Sequence, residues 1–105
     1  MSFNVLFLAH SPDADPAVHR SQIDTGKFKL FSVVVKDQAQ ALEIAKTMTI
    51  EHSLDSILLC PGFTHMDVAG IFSALEGQVG VCVARGDGLS NQISMQARQR
   101  AYEKH

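Results

Sequence analysis

Apolar residues gather in four short runs, Phe3–Ala9, Phe28–Val35, Ser56–Cys60 and Val79–Ala84. The runs are continuous, not alternating, which predicts strands buried on both faces, as in a parallel sheet covered by helices. The stretches between them carry helix signals. Asp15-Pro16 sets a capping residue before a proline at the first helical position and predicts a short helix through Ile23, closed by the turn Asp24-Thr25-Gly26. Asp37 caps a second helix, with Ala41, Leu42, Ala45, Met48 and His52 on one face. Thr64 caps a third, supported by Asp67, with Val68, Ile71, Phe72 and Leu75 as its buried stripe and Glu76-Gly77 as its end. After the turn Arg85-Gly86-Asp87-Gly88, Ser90 caps a last helix from about Asn91 to Lys104.

The expected fold is therefore α/β: a four-stranded parallel sheet of order 2-1-3-4, βαβαβαβα, with helices on both faces and right-handed crossovers. Residues 1–105 read as one domain, because two cores in so short a chain would each be marginal. The last helix, 91–105, is thinly apolar: Ile93, Ala97 and Ala101 form its stripe, with Met95 and Tyr102 at the flanks. The fourth strand has no charge from Gly77 to Ala84 and would lie at a sheet edge, where it invites pairing. Lys27 and Lys29 would guard the opposite edge. A homodimer through the fourth strand or the last helix is expected; the alternative is a monomer whose last helix covers that edge.

Composition narrows the class. Hydrophobic residues are 46% and charged residues 19%, as in a folded globular chain. Nine Lys and Arg against 11 Asp and Glu give no basic surplus for nucleic acid, and no apolar run is long enough to span a bilayer. The apolar start is neither preceded by a basic residue nor followed by a small-x-small cleavage site, so it reads as a strand. With Cys60 and Cys82 too few for a disulfide framework, a cytoplasmic protein with reduced thiols is expected.

In an open parallel sheet, ligands bind beyond the carboxyl ends of the strands. Four loops lie there: His10, Ser11, Asp13 and Asp15; Lys36 and Asp37; Cys60 through His65; Arg85 through Gly88. The opposite end offers little beyond Gly26, Lys27, Asp55 and Gln78. A small anionic ligand is expected on His10, Ser11, Gly62, Phe63, Thr64 and Arg85, since Gly62 permits close backbone approach and the helix start offers free N–H groups. Catalytic candidates are His10, Cys60 and Asp87: Cys60 as a thiolate beside His10 or His65, and His10 as a base oriented by Asp13 or Asp87. Cys60 also fits a buried strand end, Asp15 a cap alone, and Arg85 a solvated or oligomer-paired cation. Cys60, His65 and His10 lack a recognised zinc spacing, so no metal is expected. Gly86-x-Gly88-x-x-Asn91 lacks the third glycine of a dinucleotide loop and the later strand that carries the ribose-binding acid, and no cofactor is expected.

Several segments carry a wider likeness. Phe7-Leu8-Ala9 running into Asp13-Ala14-Asp15-Pro16 and His19-Arg20, Val33-Val34-Val35 with Lys36-Asp37, Leu59-Cys60-x-Gly62-Phe63, and Val83-x-Arg85 with Asp87-Gly88 are in order along residues 1–90. In these the chain resembles a family of small uncharacterised bacterial α/β proteins, a domain of unknown function. The resemblance implies the fold and the loop positions and no activity. Three functions follow as expectations: a binding protein for a small polar or anionic metabolite; a small enzyme using Cys60 or His10 on a carbonyl-type substrate; and an oligomerising interaction module.

Overall fold

The structure, a computed structural model, describes residues 1–103. Eight elements follow one another: β1 (Phe3–His10), β2 (Arg20–Asp24), β3 (Phe28–Val35), α1 (Gln38–His52), β4 (Ser56–Leu59), α2 (His65–Ala74), β5 (Gly80–Val83) and α3 (Gly88–Tyr102). The strands form one five-stranded sheet in the order β2-β3-β1-β4-β5. Every neighbouring pair is parallel except β2 with β3, which is antiparallel. The four apolar runs keep their expected neighbours. The sheet nevertheless has five strands, not four, and there are three helices, not four.

The difference lies at residues 16–23. Asp15 does cap a turn, its Oδ1 accepting the Ala17 N–H at 3.0 Å and its carbonyl accepting Val18 and His19. The turn goes no further, because one turn closes few hydrogen bonds and this segment has no apolar stripe to bury. Arg20–Asp24 instead pairs along β3, Arg20 opposite Val33 and Asp24 opposite Lys29. The reversal is tight: Gly26 sits at φ +96° and its N–H donates to Asp24 Oδ1 at 2.8 Å. Strand pairing satisfies backbone groups that an aborted helix would leave to water. β3 is consequently interior, and Lys27 and Lys29 are not edge guards.

The two central helices start where expected. Asp37 Oδ1 accepts the Gln40 N–H at 2.9 Å, and Ala41, Ala45 and Met48 form the buried face of α1. Thr64 and Asp67 make a reciprocal capping box on α2, at 3.1 and 2.9 Å. Ile71 and Leu75 of the expected stripe are buried, whereas Phe72 is exposed and lies against the turn at Gly77. The last helix begins earlier than expected. Asp87, not Ser90, is its N-cap, without a side-chain bond, and the expected end at Lys104 lies outside the described residues.

Helices on both faces are not what the chain builds. Alternation along the strands turns Leu6, Leu8, Phe31, Val33, Ile57 and Leu59 to one side, where all are buried under α1 and α2 with Phe63 and Ile71. The other side presents Phe3, Val5, Phe7 and Ala9 from β1 and Phe28, Leu30, Ser32 and Val34 from β3. By register, Ser21 and Ile23 of β2, Ser56 and Leu58 of β4, and Gly80 and Cys82 of β5 complete it. None of these positions is charged, and no described helix covers them. α3 shares no substantial packed surface with any strand or helix; it crosses the loops at the strands' carboxyl ends.

Candidate functional site

At the amino ends of the strands, polar groups are spent on one another. Asp55 accepts the Asn4 N–H at 2.8 Å, and Asn4 Nδ2 donates to the last carbonyls of α1, at His52 and Ser53. The carboxyl ends differ. His10 ends β1 and lies on the Phe63 ring, centroids 3.9 Å apart and planes 22° from parallel. Phe63 is wholly buried, so it serves as the floor under His10 and offers no surface to a ligand.

Gly62 is the centre of the arrangement. A Cβ placed there would stand 3.5 Å from His10 Nδ1, 3.5 Å from Arg98 Nη1 and 3.6 Å from Cys60 Sγ. The missing side chain therefore leaves a hollow edged by an imidazole, a guanidinium and a thiol. His10, Cys60 and Arg98 are all half-buried. Arg98 makes no ion pair among the described residues, where His52 with Glu51 is the one pair within reach. A neighbouring cleft of about 270 Å³ is lined by Pro61, Asn91, Ser94, Met95 and Arg98, at the small end of ligand-pocket sizes. A wider hollow of about 520 Å³, against Gln96, Gln99 and Arg100, is a shallow depression on the outer end of α3 and meets none of these groups.

Burial beside Phe63 lowers His10 from its ordinary value of 6.5, and Arg98 adds to the lowering; the carboxylates of Asp67 and Asp37 pull the other way. His10 is thus a neutral imidazole near pH 7, able to accept or donate one hydrogen bond. The carboxylates whose charge acts on it are those of Asp67 and Asp37, not the Asp13 or Asp87 expected from the sequence.

The other expected residues take structural tasks. Ser11 donates to Asp13 within a tight turn, and its N–H donates to the Val35 carbonyl at 2.9 Å. That hydroxyl holds the Asp13 carboxyl below its ordinary value. Thr64 is used up by its cap, and Asp67 already supplies negative charge at the start of α2, which disfavours a second anion there. Arg85 is exposed and donates to the Pro61 carbonyl at 3.2 Å, joining the loop after β5 to the loop after β4. Asp87 caps α3 through its carbonyl, which accepts the Asn91 N–H, and takes no part in the His10 cluster. No three His, Cys, Asp or Glu side chains among the described residues form a metal-binding group.

Arg98 and Tyr102 of α3 also reach this end of the sheet. Tyr102 donates from its hydroxyl to the His10 carbonyl at 3.4 Å, and Asn91 lies against Gly86, where a Cβ would come within 2.9 Å of it. Asn91, Arg98 and Tyr102 recur at helical spacing and make one polar face, a signal present in the sequence. The apolar residues Leu89 and Ile93 point away to solvent.

No described helix is long and apolar enough to cross a membrane. Comparison with curated proteins and with solved structures gives no match. One family model does match, across residues 3–98, taking in all five strands, the Gly62 hollow and α3 as far as Arg98. The chain belongs to that family, DUF6506, a family of unknown function.

Proposed function

We propose that the protein binds a small anion of the carboxylate or phosphate class between α3 and the ends of β1 and β4. The observation that carries this reading is the convergence of His10 Nδ1, Arg98 Nη1 and Cys60 Sγ on the space above Gly62. A half-buried guanidinium without a carboxylate partner is suited to a forked pair of bonds with an anionic group, and a neutral imidazole supplies orientation. Compared with the sequence expectation, His10 and Gly62 stay in the site, Arg98 replaces Arg85, and Ser11, Phe63 and Thr64 act as its frame.

Calorimetry and thermal melting with phosphate and a panel of mono- and dicarboxylates test this. At least one member should bind and raise the melting temperature, and Arg98→Gln should weaken it about tenfold or more, the worth of one charge-assisted bond. A panel without any shift in the unmodified protein, or an Arg98→Gln protein that binds as before, removes the proposal.

A second reading has its own support, because Cys60 and His10 share the hollow. In it, Cys60 Sγ bonds to a carbonyl carbon as the C=O π pair moves onto oxygen, and His10 takes the thiol proton and delivers it to that oxygen, giving a hemithioacetal. Cys60 would then react with iodoacetamide at least about tenfold faster than Cys82 at pH 6.5, although Cys82 is the more exposed thiol. Faster reaction of Cys82 excludes it.

A further inference from the structure

We propose that the uncharged face of the sheet is the contact surface for a second copy of this chain, packed face to face about a two-fold axis. The proposal is independent of the anion site. Its first ground is composition. Val5, Phe7, Leu30, Val34 and Leu58 stand together on a mostly parallel sheet whose other face is closed by α1 and α2. Sheets of this kind are covered on both faces, and a contiguous apolar patch of this extent on a soluble chain marks an interaction surface.

The second ground is that the chain's own remaining helix is not the cover. Tyr102 bonds the His10 carbonyl and Arg98 lies beside Gly62, which sets the polar face of α3 over the strand ends, and the chain's radius of gyration of 14.2 Å exceeds the roughly 13 Å of a closed domain this long. The third is area. Five strands about 4.8 Å apart, with roughly six residues each at about 3.3 Å, give near 500 Å² per copy. Two copies would cover about 1,000 Å², the lower bound for a specific interface and the size of a reversible, concentration-dependent dimer.

The occupant follows from the charge pattern. No position on the face itself is charged, so it offers a foreign partner no charge pattern to complement. An uncharged surface is complementary to itself, which is the requirement of a two-fold contact. Sheets packed this way lie about 10 Å apart with strands near 30° from alignment. This is a face contact, distinct from pairing at the β5 edge or along α3.

Sedimentation equilibrium from about 1 µM to about 1 mM tests it, since a dimer's stability depends on protomer concentration. The unmodified chain should be dimeric at the upper end. Leu58→Asp, a charge at the centre of the face, should be monomeric with an unchanged circular dichroism spectrum, while Leu89→Asp on α3 should remain dimeric. Cys82 lies on this face, so its alkylation by a maleimide should slow at least about tenfold from the dilute to the concentrated protein. That measurement decides the matter in the unmodified chain even if Leu58→Asp does not fold. A monomer throughout, or a dimer that leaves Cys82 equally reactive, overturns the proposal.

Discussion

Leu6 and Leu8 point to one side of β1, and Val5 and Phe7, one residue away, to the other. The residue types are nearly the same. The first pair has no accessible surface, while the second is only half-buried; across on β4, Leu59 is at 0% exposure and Leu58 at 38%. The contrast teaches that a continuous apolar run states how many faces need cover, and says nothing of which molecule supplies it. Helices α1 and α2 follow β3 and β4 in parallel crossovers and close one face. The segment that would have closed the other became β2.

The largest effect that can break this comparison is a cavity. Leu59→Ala should cost about 2–5 kcal/mol in urea denaturation, because the packed core relaxes only in part. Leu58→Ala, measured in dilute protein, should cost less, about 1 kcal/mol, because part of its side chain already faces water and no closed cavity is left. Equal losses would mean that the outward face is closed within one chain. Next in size is the α2 cap, which fixes the helix closing the covered face. Thr64→Ala should cost about 1 kcal/mol by removing the acceptor for the Asp67 N–H.

How much of this was legible in the sequence depends on the range of the forces involved. Caps at Asp37 and Thr64 and the continuous strands are local, set by one turn of chain or by alternation, and they were read correctly. Residues 16–23 were not. Asp15-Pro16 opens a single capped turn and no helix, because the competing hairpin has β3 beside it, and pairing energy enters only once that strand is in place. Asp24-Thr25-Gly26 before an apolar strand was the hairpin signal available. The site divides likewise. The strand-end rule sets His10, Cys60 and Gly62 side by side, while Arg98 reaches them only through the path of α3.

The smaller predictions sharpen the contrast between the site and its frame. Gly62→Ala adds a Cβ at ordinary contact distance from all three neighbours, so stability should stay within about 0.5 kcal/mol. Anion binding should nevertheless fall, since the methyl group fills the hollow. Smallest is the pH effect. His10 has a folded value below its unfolded 6.5, so the unfolded chain takes up the proton first as pH falls. Stability should decline as pH drops below about 6.5, and level off below the folded value. His10→Asn should flatten that slope in melts across pH 4–8, and Arg98→Gln should raise the His10 midpoint followed by NMR.

By itself the sequence determined the α/β class, the positions of the four apolar strands, the two capped helices and the end of the sheet where His10, Cys60 and Gly62 come together. Each rests on periodicity, capping or chain direction, which act over a few residues. Only the tertiary structure decided that a fifth strand joins antiparallel and that α3 brings Arg98 over Gly62. It alone showed that one apolar face of the sheet has no described helix over it. Those outcomes depend on which distant surfaces meet, and no local pattern contains that information.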